Sequence, residues 1–543
     1  MVLLLRRTKP RQTRYFRISI EEKTADLWSY KYPINNIINQ PTVNTSNANT
    51  IAYSTDTDFF SNAKNQLHLI IQHFESIESE DHGCTETYLN TEGDELKRLL
   101  FQGYLDKQAH DEPQMASVTN ADGQKKNHVR KNTQRTLSSL FGPVKVTRLG
   151  YSQRKQSSQF PLDAKLNLYT DQYSDGMRQR IVHDVIDRSY DRTVERHRKT
   201  CTGIIGKRQA MQLAKSAAGD FVEFYQHRTV EDEQTDNLLI LSFDGKGLVM
   251  LPDGLRECTR KKAEKSKNNL ETRLSTGEKK DRKRMAQVAT VYTTLPHIRT
   301  AESVMNRDKK EDNVVRFRSP VRNKRVFASV ERSAEQVIEE AFDEALKRDS
   351  GNTRRWVIVV DGHPHQLSLI EKVMTRKKVD AVIVMDFIHV LEYLWKAAYC
   401  LYEKGSNSAE SWVCERALRV LKGKSATVAR GIRQSASKRA LKKREAMDKC
   451  AGYLQKNQNR LKYDMALAKG LPIASGVIEG ACRHLINDRM DITGARWSLQ
   501  GAEAILKLRS INSSGDWNEY WKYHRSRSEA RNYGGLVITE GAS

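Results

Sequence analysis

No apolar run in this chain comes near the roughly 20 residues that span a bilayer, so no membrane helix is predicted. The opening MVLLLRR sets its apolar stretch ahead of a basic pair and is too short for the hydrophobic region of a signal peptide. Cysteine is scarce and unpaired: seven among 543 residues, at 84, 201, 258, 400, 414, 450 and 482, without a CxxC or any zinc-ligand spacing. A structural zinc and a disulfide framework are thereby excluded, and isolated reduced thiols of a cytosolic protein are expected. Acidic charge is in deficit, with 67 Asp and Glu against 91 Lys and Arg. The resulting +24, with a pI near 9.6, exceeds what solubility needs and predicts a polyanionic partner. An anionic membrane fits poorly, because no strongly amphipathic basic helix with an aromatic apolar face is present.

At this length two or three domains with sizeable cores are expected. Residues 1–75 are rich in Asn, Thr and Ser (QPTVNTSNANTIAYSTDTD) and read as a variable, loosely ordered segment, although helical spacing begins at Ala63 and runs to Lys107. Residues 76–235 read as a mostly helical region. Within it, 108–134 is polar, FGPVKVTRLGYSQ (141–153) alternates as a hairpin or edge strand, and 173–230 is helical. Two short basic helices around Gly203 have helix-turn-helix spacing; a plain helical bundle with solvated basic faces fits the same pattern.

From Asn237 the pattern changes. Strands are predicted at LLILSFDGKGLVM, AQVATVYTT (286–294), RVFASV (325–330), WVIVVDG and DAVIVMDFIHV, with helices at SAEQVIEEAFDEALKR and QLSLIEKVM. The order strand, strand, strand, helix, strand, helix, strand is that of an α/β ribonuclease H-like core, its later strands parallel and buried. That core would begin at 236–389, be interrupted by an all-helical insertion at 390–472, and resume at 473–543. Between the first two strands, 260–285 carries eleven Lys or Arg.

Three acids bear the chemistry. Asp244 and Asp361 each close an apolar, β-branched run, and Glu479 sits in the helical GVIEGACRHLI. Two aspartates on neighbouring strands with a helical glutamate can hold a pair of Mg²⁺ about 3.5–4 Å apart, with Mn²⁺ as a substitute, for phosphoryl transfer on nucleic acid. The bland alternative makes each Asp-Gly a strand-end turn. Asp386 also closes an apolar strand and competes with Asp361 for the second position; with His389 it spans a strand-to-helix junction. His363 and His365 flank Pro364 and read as turn residues, with a substrate or metal-shell role as the alternative. Arg483, four residues after Glu479, can pair with it or reach a phosphate. Trp497 can stack on an unpaired base or serve in the core. Lys207, Arg208, Arg282, Lys283 and Arg284 are expected to contact phosphate.

A family resemblance rests on FGPVKVTRLGY, PLDAKLNLY followed by YSDGMRQR, GKRQAMQLA, DGKGLVM, LSTGEKKDRKRMAQVATVY, VVDGHPHQLSLIE, DFIHVLEYLWKAA and ASGVIEGACRHLINDRMDITGARWSLQGAEAILKLR. Over roughly residues 130–525 the chain resembles the ISKra-type insertion-sequence transposases of bacteria, a DDE group related to the Mutator-like transposases. The resemblance implies a ribonuclease H-like core split by a helical insertion, with Asp244, Asp361 and Glu479 as first, second and third acids. Asp386 and His389 match the (Cys or Asp)-x-x-His signature that follows the second acid. Implied partners are terminal inverted repeats, target DNA and a second copy or more of the chain, at the bacterial nucleoid. The rival expectations are an inactive DNA-binding derivative and a ribonuclease H-like endonuclease that cuts without joining.

Overall fold

A computed structural model describes residues 58–120, 122–200, 205–230, 236–265, 282–305, 320–438, 444–492 and 494–539. Two helices come first, α1 (Ser61–Ser76) and α2 (His82–His110), joined by a short connection and packed on each other. Asp81 caps α2 by accepting from Gly83 N. Strands β1 (Ser117–Thr119) and β2 (Lys125–Lys126) follow, then the hairpin β3 (His128–Ser139) and β4 (Gly142–Ser152). The hairpin expected at 141–153 is therefore present. Its first strand, however, runs through the stretch that composition marks as merely polar. Only one face of this two-stranded sheet is covered, where Leu137, Val144 and Val146 meet Leu105 of α2. The other face is wet, so β3 can be built from Arg, Lys, Asn, Thr and Gln.

The helical region 173–230 is as expected. After the short α3 (Pro161–Lys165) come α4 (Asp175–Asp187), α5 (Tyr190–Thr200), α6 (Lys207–Ala217) and α7 (Phe221–His227). Ser174 caps α4 through Met177 N. The two basic helices α5 and α6 pack together; the Gly203 turn between them lies outside the described residues.

The centre of the molecule is a mixed five-stranded sheet. Its strands are β5 (Leu238–Val249), β6 (Lys283–Thr294), β7 (Arg322–Ser329), β8 (Trp356–Val360) and β9 (Ala381–Met385), in the order β7-β6-β5-β8-β9. β5, β6 and β7 are antiparallel neighbours, whereas β8 and β9 run parallel to β5. The helix α8 (Glu257–Lys265) follows β5; residues 266–281, most of the basic insertion, lie outside the described residues. A short helix α9 (Ala301–Met305) follows β6. α10 (Ala334–Arg348) opens on a capping box between Ser333 and Gln336 and packs on β5 and β6. α11 (Pro364–Lys377) packs on α10.

β8 is buried throughout, as its apolar run predicts. β9 is not. It forms the sheet edge, and Val382 is 43% exposed despite the apolar sequence around it. The strand also stops at Met385: Asp386 turns its carboxylate onto Ile388 N and starts α12 (Phe387–Ala398), so FIHV is helix rather than strand.

Between α12 and residue 472 the described residues hold helices and no strand: α13 (Asn407–Leu421), α14 (Ser425–Lys438), α15 (Glu445–Lys456) and α16 (Tyr463–Ala468). α13 and α15 pack against α12. The chain then returns to the sheet through α17 (Gly476–Cys482), which packs on β5 and β6, and α18 (Leu499–Ser514), which packs on β7 and α6. After α19 (Trp517–Tyr533), β10 (Val537–Thr539) pairs with β1 in a small sheet of order β10-β1-β2. Among the described residues no helix is long and apolar enough to cross a membrane.

Arginines fasten the N-terminal helices to this core. Arg509 of α18 donates to Ile186 O at the end of α4 and lies 3.1 Å from Asp187 Oδ1, while also donating to the carbonyls of His484 and Leu485. Arg489 Nε donates to Val185 O at 3.2 Å. These bonds supply partners for carbonyls that a helix end leaves unpaired.

Candidate active site

Sheet register decides where the acids stand. Leu239–Ser242 of β5 pair in parallel with Trp356–Val359 of β8. Two further steps in that register bring Asp244 level with Asp361, on strands about 4.8 Å apart. The same holds across the next pair. Trp356–Val360 match Ala381–Met385, and one step more brings Asp361 level with Asp386, whose N–H donates to Val360 O at 2.9 Å. Three aspartates thus form a row across the ends of β8 and β9 and the middle of β5.

Asp244 does not end its strand, contrary to a strand-end turn at this Asp-Gly. β5 continues to Val249, paired only with β6. Beyond β8 the second neighbour is gone, which opens one side of Asp244 to solvent. Asp361 does end its strand. Gly362 follows with φ +89°, a conformation that L side chains rarely adopt, and a β-carbon there would come within 3.1 Å of Met385. Here the Asp-Gly turn is real.

The three aspartates have different commitments. Both Asp386 oxygens are taken: Oδ1 accepts from Ile388 N at 2.8 Å, and Oδ2 accepts from the Ser475 hydroxyl. It is 1% exposed and works as a helix cap. Asp361 accepts no hydrogen bond on its carboxylate among the described residues. Burial pushes its pKa up, and the charges of Asp244 and Asp386 push the same way, against His389 and Lys246. Asp244 Oδ2 lies 3.1 Å from Lys246 Nζ, and accepts from Cys482 Sγ at 3.1 Å. Burial would lower the Lys246 pKa, but the contact with Asp244 prevails and raises it.

Glu479 lies on α17, one turn before Cys482, and α17 packs on the strand that carries Asp244. Its side chain is exposed. Partial desolvation where α17 meets the sheet nonetheless raises its pKa, reinforced by the charges of Asp386 and Asp361, so it feels the field of the row. Arg483 does not pair with it. The helix widens into a π turn at Arg483–Asn487, and the Arg483 guanidinium sits 3.5 Å from Asp488 instead. Trp497 is not available to a base either. It is buried, its indole N–H donates to Met490 O at 2.9 Å, and its backbone bridges to Val249 and Leu251.

A cavity of about 630 Å³ opens beside Asp244 and Asp361. His363, His365 and His389 line it, so the two turn histidines and the helical one share a space with the acids. Tyr393 of α12 and Tyr453 of α15 line it too, stacked with ring centroids 4.4 Å apart. Tyr453 Oη donates to the Asp361 backbone carbonyl at 3.0 Å.

The expected phosphate ligands are scattered. Lys207 and Arg208 are exposed at the start of α6, Lys207 pairing with Asp191 at 2.8 Å. Lys283 lies 3.6 Å from Asp491. Arg284 holds the fold together, donating to the carbonyls of Val330 and Gly254. Arg282 contributes a backbone carbonyl to Met250 N. Lys283 and Arg284, with Arg256, line a 420 Å³ trough that adjoins the acid cavity through Met285, Gln287 and His365.

No protein-family model matches the chain, and no curated protein does either. Among the described residues no three His, Cys, Asp or Glu side chains stand close enough to form a preformed metal cage. The residue types nonetheless suit a hard divalent cation: Asp244, Asp361 and Glu479 are all carboxylates, and the pKa values of Asp361 and Glu479 are both raised by burial and by neighbouring acids, which a cation would offset. Lys246 meets that need in part at Asp244.

Reading by residue type missed four of these side chains. Lys246, two positions after Asp244 on the same strand face, and Cys482, one helical turn after Glu479, were within reach of periodicity. Tyr393 and Tyr453 were not, since 60 residues and two helices separate them.

Proposed function

We propose that this chain is a DDE-type DNA transposase with a ribonuclease H-like core, acting on the terminal inverted repeats of its own insertion sequence. The observation that carries the reading is the register of β5 and β8, which sets Asp244 and Asp361 level on adjacent parallel strands with the helix of Glu479 packed against the first. The +24 charge, the trough lined by Arg256, Lys283 and Arg284, and the resemblance to ISKra-type transposases support it. On this reading residues 76–235 recognise the ends, 236–389 and 473–543 form the split core, and 390–472 is its helical insertion.

Bound divalent cations, Mg²⁺ or Mn²⁺ in place of it, would be held by Asp244, Asp361 and Glu479 and would supply Lewis acidity at the scissile phosphate. The chain's own part is orientation. Asp386 spends both oxygens on capping α12 and on Ser475, which fixes the strand end beside Asp361. Tyr453 holds the Asp361 carbonyl, and Lys246 offers a positive charge next to Asp244. Hydrolysis of one strand at the element's end would leave a 3′-hydroxyl. Its oxygen would then attack a target phosphodiester as the target's own 3′ oxygen leaves. Paired ends imply a dimer or larger assembly on DNA.

Purified protein with Mg²⁺ and duplexes carrying the element's ends should cleave and join strands, and Glu479→Ala should do neither while still binding DNA. Cleavage without joining in the wild type would make the chain an endonuclease. Binding without cleavage would make it a DNA-binding derivative.

A further inference from the structure

The cavity beside the acids has more structure than phosphodiester chemistry needs. Its far wall is the Tyr393–Tyr453 stack, contributed by α12 and α15 and only partly buried. The Tyr453 hydroxyl bond to the Asp361 carbonyl fixes this wall relative to the acid row. Asn457, 3% exposed, and the exposed Lys456 lie one helical turn on. The floor is Gly452, where an added β-carbon would meet nothing within 4 Å. Its helix therefore leaves this space open at no cost to packing. A volume of about 630 Å³ falls within the range of roughly 300–1,000 Å³ of small-molecule sites and is ample for one nucleobase.

We propose that this cavity receives a single unpaired nucleobase from the DNA strand whose phosphate lies at the acid row. The inference rests on the DNA-processing reading above. The aromatic wall offers a π-face, which every base can stack on. His389 offers a ring nitrogen for a base edge, and Lys456 a charge for the adjoining phosphate, while Asn457 Nδ2 donates to the Tyr453 carbonyl at 3.1 Å and steadies the aromatic wall. The adjoining trough lined by Arg256, Lys283 and Arg284 gives the rest of the strand a cationic path away from the cavity. A paired base inside a duplex cannot reach the wall, so strands already unpaired at the end would be favoured.

The test uses the full chain and three probe duplexes: blunt, with a short 3′ overhang carrying 2-aminopurine, and with the same overhang made abasic; binding is read without divalent cation, and cleavage and joining in parallel reactions with Mg²⁺. Expected are quenching of 2-aminopurine on binding and about tenfold tighter binding of the overhang duplex than of the blunt one. The abasic overhang should lose that preference. Gly452→Leu, which fills the cavity from a helical position where leucine is the better helix former, should lose both preference and quenching with no fall in Tm. Tyr393→Leu, which removes one aromatic face, provides a second variant. Preference or quenching that survives in a folded Gly452→Leu protein, or an absence of preference in the wild type, would overturn the inference. If the wild type cleaves and joins with no overhang preference, the base site falls and the transposase reading stands. If the preference is present and lost in Gly452→Leu while no strand is cut, the catalytic reading falls and the base site stands.

Discussion

Asp361 and Asp386 occupy equivalent levels on adjacent strands, yet only one is free to act. Asp386 has given both oxygens to the fold; Asp361 has given its backbone carbonyl and kept its carboxylate. This difference could not be read from the sequence, where both simply end apolar runs. It leads to a prediction with an unusual sign. Asp361 and Glu479 hold protons more tightly folded than unfolded, so their effect on stability worsens as pH rises from the ordinary carboxylate range through their raised values. Asp361→Asn should therefore raise Tm at neutral pH while abolishing strand cleavage; a lower Tm would contradict the electrostatic account. The same pKa directions predict that Mn²⁺ binding weakens as pH falls through this range and releases protons, which calorimetry in buffers of different ionisation enthalpy would register. Lys246→Met removes the ammonium beside Asp244. Titrated with Mn²⁺, that variant should bind a few-fold more tightly than wild type, whereas weaker binding would make Lys246 a support rather than a competitor of the cation.

Elements were legible where a period and a boundary coincided. The five central strands and the helices between them follow from apolar runs punctuated by Asp-Gly, Ser-Ala-Glu-Gln and Pro, because all of these runs but the edge strand β9 are largely buried or carry one buried stripe. β3 was not legible, since a two-stranded hairpin with one wet face needs few apolar residues. The end of β9 was not either. FIHV suits strand and helix equally, and a side-chain bond from Asp386 to Ile388 N decides between them. Turn chemistry gives the element-scale test. Gly362→Ala would strain a backbone at φ +89° and press on Met385, so a loss of about 1–3 kcal/mol is expected in denaturant melts, together with reduced cleavage. A larger effect is expected between β7 and α10. Arg325 and Arg348, both nearly fully buried, each lie 2.6 Å from Glu344, whose own pKa is lowered because the two arginines outweigh its burial. Glu344→Ala leaves the buried Arg348 without a carboxylate and Arg325 with Glu340 alone, and should cost about 3 kcal/mol.

At the scale of the whole molecule the N-terminal helices and the sheet are one structure, bolted by Arg509 and Arg489 to the last turn of α4. Arg509→Ala should increase hydrogen exchange in α4 to α6 before it affects β5 or β8, because it removes the caps on α4 and leaves the strand ladders intact. Uniform loosening would show that the two regions unfold together. The distribution of the acids along the chain has a consequence of another kind. Asp244 and Glu479 lie 235 positions apart, with Asp361 between them. At about 5–20 residues per second on a ribosome, roughly 10–50 s pass between the first acid and the third. On the transposase reading proposed above, the nascent chain would present its basic N-terminal helices to nucleic acid through that interval without a complete acid set, and so would search DNA before it could cut it.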